Sequence, residues 1–307
     1  MKKISQQQAE FIVAATNEGL TNFPPAALEK DILLTEILSS LRDEIHKEKQ
    51  LLRPIFGGGT SLIKANPIIS RMSEDLDFKI IEVNQGDIAR SQLRLLRESC
   101  KQLFEAEGFS IVSTDSRNST RYFNFNLEYE SKFEASTSLR PHIQLEFTVS
   151  KVIATPQERM IETLLYRDSK IENPYQFEFA CVDYTQTAAE KLVGLLKKVD
   201  EVQSGENNRL IRHVYDLHQL KKFGLGIAAL KSAVISAINE DYERFGETIP
   251  KELRDNPVDY LQNSIKELSE VNNLDVIYDS FVGDLVSGEK VPLDEALESV
   301  IYLVSNI

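Results

Sequence analysis

Two aspartates alternate with apolar residues in Ser73-Glu74-Asp75-Leu76-Asp77-Phe78. On a strand, a period of two sends Asp75 and Asp77 to one face and Leu76, Phe78 and Ile80 to the other. Like charges side by side on a strand face are unfavourable unless water solvates them or a cation lies between them. Hard carboxylate oxygens suit Mg²⁺, which also bridges substrate phosphates. The plain alternative is a solvated polar strand end. A third carboxylate adds weight to the metal reading. In His142-Ile143-Gln144-Leu145-Glu146-Phe147-Thr148-Val149 the apolar set is Ile143, Leu145, Phe147 and Val149, which leaves Glu146 on the polar face. If this strand pairs beside the first, three carboxylates converge on one metal site, as metal-assisted phosphoryl transfer requires.

Upstream, Phe56-Gly57-Gly58-Gly59-Thr60-Ser61-Leu62 reads as a strand-to-helix turn. Glycines there let the backbone approach a phosphate, and Thr60 and Ser61 supply hydroxyls beside a helix N-terminus. Glycine runs also occur in ordinary turns, so this segment alone decides nothing. Lys191 reads as a solvated lysine on a helix whose Leu192, Leu195 and Leu196 pack inward, and Asp216 as an exposed aspartate of an amphipathic helix. His213 and His218 share that helix, but four histidines in the chain give no zinc spacing. Cys100 and Cys181 lack the neighbours of a nucleophile and read as core residues.

The elements that must position these residues follow from periodicity. A helix is expected from Ala27 through Leu41, on the stripe Leu28, Ile32, Leu34, Ile37, Leu38 and Leu41. Strands are expected at Leu51 to Phe56, Ser73 to Ile81, Thr120 to Tyr129 and His142 to Val149, and helices at Thr60 to Ala65 and Gln92 to Glu107. After Lys151 helical periodicity dominates, at Gln157–Leu165, Thr187–Val199, Asn208–Phe223, Ala228–Ile238 and Pro257–Ser269. The expected division is therefore residues 1–155, an α/β half with N-terminal helices, and 156–307, an all-helical half.

Composition bounds the function. Hydrophobic residues make up 42% and charged residues 27% of 307 positions, an ordinary globular balance that excludes a disordered tail or a fibre. The net charge of −13 repels bulk nucleic acid and anionic membranes unless basic residues are gathered locally. Glu190 to Phe223 is such a place, with Lys191, Lys197, Lys198, Arg209, Arg212, Lys221 and Lys222 exceeding its acidic residues. Two cysteines are too few for a disulfide scaffold. The polar start Met1-Lys2-Lys3-Ile4-Ser5-Gln6 does not read as a signal peptide. The apolar stretch from Phe223 to Ile238 is interrupted by Lys231 and falls short of the about 20 residues of a membrane span. A cytoplasmic protein without membrane contact is expected.

The ordered set of motifs resembles the polymerase-β-like nucleotidyltransferase superfamily, and in detail the AbiEii/AbiGii toxin family. Gly58-Gly59-Thr60-Ser61-Leu62 with Lys64 is similar to that family's G-G-T-x-L-x-K, and Arg71-Met72-Ser73-Glu74-Asp75-Leu76-Asp77-Phe78 to its R-x-S-x-D-I-D-F. The helix Leu28-Glu29-Lys30-Asp31 precedes the glycine turn as in the family. Thr187-Ala188-Ala189-Glu190-Lys191-Leu192 and Arg212-His213-Val214-Tyr215-Asp216-Leu217 resemble the third and fourth motifs. The chain departs from the pattern at Gly57, where a lysine is frequent, and at His213, where the family has aspartate.

The resemblance implies an α+β fold, a mixed sheet with flanking helices followed by an all-helical C-terminal domain. It implies an Mg²⁺-dependent nucleotidyltransferase, the toxin of a type IV toxin–antitoxin or phage-defence system. Asp75, Asp77 and Glu146 would hold metal, with Glu146 also activating the acceptor hydroxyl. Gly58, Gly59, Thr60, Ser61, Lys64 and Lys191 would bind the nucleoside triphosphate, and Asp216 would complete the catalytic set. The expected partners are the triphosphate, a structured RNA acceptor such as tRNA, and an antitoxin encoded nearby that need not bind the toxin. Two alternatives stay open: nucleotide transfer to a protein hydroxyl, and a catalytically quiet nucleotide-binding module of the same fold.

Overall fold

The computed structural model describes residues 1–47, 52–82, 87–117, 121–134, 139–173 and 175–307. Leu51 and Thr120, expected as strand starts, lie outside the described residues. The chain forms two compact units, Met1–Pro67 with Arg71–Val182, and Ile68–Ser70 with Asp183–Ile307.

The first unit starts with α1 (Gln6–Asn17) and α2 (Pro25–Lys47). The polar Ser5-Gln6-Gln7-Gln8 is a capping box: Gln8 N–H donates to Ser5 Oγ at 3.1 Å and Ser5 N–H to Gln8 Oε1 at 2.7 Å. There follow β1 (Leu52–Gly57), α3 (Gly58–Lys64), β2 (Asp75–Glu82), α4 (Arg90–Ala106), β3 (Ser110–Ser113), β4 (Ser116–Arg117), β5 (Tyr122–Glu128) and β6 (Ile143–Val149). The unit closes with β7 (Gln157–Ile161), α5 (Leu164–Ser169) and β8 (Phe177–Cys181).

The strands form one sheet in the order β3-β5-β6-β2-β1-β8-β7, with β4 also paired to β5. β2 pairs parallel to β6 and β1 parallel to β8, while β1–β2, β5–β6 and β7–β8 are antiparallel. Along β2 and β6 burial alternates, with Leu76, Phe78, Ile80, Ile143, Leu145 and Phe147 buried. Aromatics stack across strands on this apolar face: Phe78 and Phe123 each lie 4.8 Å from Phe147, ring centre to ring centre. The sheet's apolar side chains and those of α2 and α4 make the core.

Two expectations are corrected here. Gln157–Leu165 is an edge strand and then the separate helix α5, not one helix. Its Gln, Glu, Arg and Met favour helix intrinsically, but pairing with β8 overrides that weak preference. Because β7 and β8 complete the sheet, the division between units falls at Val182/Asp183 rather than near residue 155.

The second unit is helical: α6 (Tyr184–Leu196), α7 (Val199–Gln203), a 3₁₀ turn (Asn208–Ile211), α8 (Arg212–Phe223), α9 (Ile227–Phe245), α10 (Lys251–Asp255), α11 (Pro257–Ser269), α12 (Leu274–Leu285) and α13 (Leu293–Asn306). Asp183 caps α6 by accepting from Thr185 N–H at 2.8 Å. Gly224, at φ 107°, ends α8 in the left-handed conformation that favours glycine. Ser287 N–H donates to the Ser70 carbonyl at 3.0 Å, which ties the short 68–70 segment to this unit. No helix among the described residues is long and apolar enough to cross a membrane.

Candidate active site

β6 lies directly beside β2, with Asp77 opposite Glu146 and Asp75 opposite Gln144. β5 continues the same surface, with Asn124 opposite Glu146 and Asn126 opposite Gln144. Asp75, Asp77, Gln144 and Glu146 are all half-buried, while the alternating Leu76, Phe78, Leu145 and Phe147 are buried in the core. The three expected carboxylates therefore share one face of two adjacent strands.

The glycine turn presses against this face. Gly58 has φ +69°, and a Cβ built there would lie 1.9 Å from Asp77 Oδ2, 2.7 Å from its Cγ and 2.9 Å from its Cβ. No side chain fits that space, so glycine is what allows the turn and Asp77 to meet. Gly58 and Gly59 are the accessible part of the turn.

The hydroxyls and lysine expected at the phosphates are placed otherwise. Thr60 and Ser61 are 1% and 0% exposed. Thr60 Oγ1 bonds the Asp75 carbonyl and lies 2.9 Å from Ser73 Oγ, and Ser61 Oγ donates to the Gly58 carbonyl at 2.9 Å. Thr60 pins the turn to β2 and Ser61 closes the turn on itself, and neither hydroxyl faces solvent. Lys64 is held away from solvent by its own partners. Its ammonium has three donors, and they meet Asp31 Oδ1 at 2.6 Å, Thr35 Oγ1 at 2.6 Å and the Asp31 carbonyl at 3.2 Å. In this arrangement no donor is left for phosphate, and burial draws the ammonium below its ordinary pKa. Lys64 locks α3 onto α2.

Sequence reasoning missed the hub that α2 provides. Glu29, Lys30 and Asp31 are consecutive, charged and buried at 0%, 0% and 2% exposure. Glu29 accepts from Lys132 N–H at 2.8 Å, Lys30 pairs with Glu74 at 2.6 Å, and Asp31 holds Lys64 and accepts from Leu164 N–H at 2.7 Å. Each charge fastens a different segment to α2. Burial by itself would raise the Glu74 carboxyl, but the Lys30 ammonium and the Arg140 amide and guanidinium hold it below the ordinary carboxylate range. Arg140 was also missed: its Nη1 donates to Asp75 Oδ1 at 2.6 Å and to Gln144 Oε1, and Gln144 Nε2 donates to Glu146 Oε1 at 2.6 Å. A signal for Arg140 was available only in its position shortly before β6.

The donor set of this face, three carboxylates with one cradled by a glycine, fits a hard divalent cation. Among the described residues no three His, Cys, Asp or Glu side chains are gathered at ligand spacing. Asp75 is turned to Arg140 instead. A cavity of about 610 Å³, lined by Phe11, Thr35, Arg42, Tyr166 and Phe177 among others, lies elsewhere in this unit, and none of the carboxylate or glycine-turn residues borders it.

In the helical unit the two remaining expected residues meet each other. Lys191 Nζ on α6 lies 2.7 Å from Asp216 Oδ2 on α8, and their side chains are 8% and 0% exposed. Neither is the solvated surface residue that helix periodicity alone suggests. The His213 ring sits near Gly194 of α6, where a Cβ would lie 3.9 Å from its Cε1. Cys100 and Cys181 are buried free thiols, as expected, and burial pushes both up to about 12.

A mixed sheet that ends a strand in a glycine turn, with D-x-D on the next strand and a third acidic residue beside it, defines a nucleotidyltransferase of α+β fold. The solved structure of MenT4, a nucleotidyltransferase toxin from Mycobacterium tuberculosis H37Rv, shares the fold: the match covers 96% of this chain and 99% of that one, with a TM-score of 0.53 and 15% sequence identity. No curated protein matches the sequence significantly. The family described as nucleotidyl transferase AbiEii toxin of type IV toxin–antitoxin systems matches over residues 37–299. The chain belongs to this family of nucleotidyltransferase toxins. Membership implies a nucleoside triphosphate substrate, a divalent metal and a cognate antitoxin.

Proposed function

We propose that this toxin transfers a nucleotide from a nucleoside triphosphate to the 3′ end of tRNA in an Mg²⁺-dependent reaction. The observation that carries the metal-dependent part is the register of β2 and β6, which sets Asp77 beside Glu146 on the face that also bears Asp75. Asp75, Asp77 and Glu146 would hold Mg²⁺, which supplies the charge neutralisation that phosphoryl transfer needs. The acceptor hydroxyl oxygen bonds to the α-phosphorus as the bond to the β-phosphate's bridging oxygen breaks, and pyrophosphate leaves. Glu146, aimed by Gln144, takes the hydroxyl proton. Gly58 and Gly59 offer main chain to the triphosphate. For Lys191, paired with Asp216, the family resemblance implies a charge-neutralising role toward the triphosphate.

The RNA acceptor is supported by the family resemblance and less by charge. Four lysines of the locally basic segment are already paired: Lys191 with Asp216, Lys197 with Asp241, Lys198 with Glu201 and Lys222 with Glu289. Those pairs favour a second reading, transfer to a protein hydroxyl. The deciding experiment incubates purified protein with each labelled triphosphate, Mg²⁺, and either total RNA or protein lysate. Label on tRNA, dependent on Mg²⁺, is the expected result. Label on protein alone refutes the RNA acceptor, and no label from any triphosphate favours a quiet module.

A further inference from the structure

Arg140 belongs to none of the motifs, yet a network anchored on a buried ion pair converges on it. Its main chain is held at both ends: its N–H donates to Glu74 Oε2 at 2.8 Å, and its carbonyl accepts from Lys30 Nζ at 2.7 Å. Lys30 and Glu74 pair with each other at 2.6 Å, with side chains 0% and 4% exposed. Burying charges is costly unless they are well paired, so this pair is an expensive way to fix the main chain of one residue. What it fixes is the aim of a guanidinium. Arg140 Nη1 reaches Asp75 Oδ1 at 2.6 Å and bonds Gln144 Oε1, and Gln144 passes the contact on to Glu146 Oε1 at 2.6 Å. One cation thus spans the first and third carboxylates of a face where like charges otherwise repel.

We propose that Arg140 is the built-in counter-cation of this site. It orders Asp75 directly, and Glu146 through Gln144, in the metal-free protein, and a divalent ion must displace it from Asp75 to bind. The inference rests on the proposed metal role of Asp75, Asp77 and Glu146. It makes metal affinity the outcome of a competition that the protein itself sets. It also explains why Asp75, expected as a metal ligand, is turned to a guanidinium.

The test is calorimetric titration of the full chain with Mn²⁺, without nucleotide, so that no turnover is read. Arg140→Gln removes the competing charge and should tighten Mn²⁺ binding about tenfold, since a cation in contact biases a carboxylate by about one to three pK units. Arg140→Lys keeps the charge and should stay near wild type. The main-chain anchors of residue 140 do not use its side chain, so the Gln variant should fold, as its melting curve would show. Unchanged or weaker Mn²⁺ binding by folded Arg140→Gln, with binding lost in Asp75→Asn, overturns this inference and leaves the metal site standing. A wild-type chain that binds no Mn²⁺ overturns the metal reading and this inference with it. A crystal structure of the wild type with Mn²⁺ bound answers without a variant: Nη1 moved away from Asp75 supports displacement, and Nη1 still bonded to Asp75 refutes it.

Discussion

Gly58→Ala should damage the site and the fold together, because one added methyl group must occupy the place of Asp77. The new Cβ would meet Oδ2 at 1.9 Å, Cγ at 2.7 Å and the Asp77 Cβ at 2.9 Å. Rotating the carboxylate relieves only the first contact, so β2 must shift or the turn must change conformation. The φ of +69° adds its own cost, about 1–2 kcal/mol for a non-glycine residue. Overpacking against a well-packed neighbour adds about 1–3 kcal/mol. The sum is about 2–5 kcal/mol, and at about 2–4 °C per kcal/mol for a unit of this size the melting temperature should fall on the order of 10 °C. Nucleotide transfer, measured well below the melting range, should fall about a hundredfold or more, the usual cost of a misplacement of about 1 Å at a reacting centre. Gly57→Ala is the control, since the tightest contact of its Cβ would be the Val182 methyl at 3.2 Å and its φ is not left-handed. A Gly58→Ala protein that melts and transfers like wild type would refute the cradle.

Three further outcomes follow from the same geometry. Asp77→Asn should abolish label transfer while the circular dichroism spectrum and melting temperature stay near wild type; transfer at wild-type rates would remove Asp77 from the metal site. Lys64→Met should destabilise the fold by about 3–5 kcal/mol in urea denaturation, because Asp31 is left as an unpaired buried charge. A loss below about 1 kcal/mol, with a raised KM for triphosphate instead, would return Lys64 to the phosphates. Glu74 has a depressed pKa, so its stabilisation is complete above its unfolded value of 4.5 and is lost as pH falls through the lower folded value. Unfolding free energy should therefore decline with acidification below about pH 4.5, and Glu74→Gln should flatten that decline; an equal slope in both proteins would contradict the assignment.

The sequence by itself determined the chemistry-bearing faces. Alternation along residues 75–80 and 143–147 separates carboxylates from core because a pleated strand has a period of two, whatever its neighbours. Order and spacing of the motifs were likewise sufficient for the family. Chain order did not settle which strands touch: β2 and β6 are neighbours although a helix and three strands intervene, so the meeting of Asp77 with Glu146 depended on the tertiary fold. The edge strand β7 was illegible for a related reason, since its partner β8 and not its own composition makes it a strand. The buried charges Glu29, Lys30, Asp31 and Lys64 were least legible, because a charge is buried only where partners from distant segments arrive to replace its water. Those partners, Glu74, Leu164, Thr35 and the main chain of Arg140, are brought together by folding alone, and with them comes the guanidinium that Asp75 faces.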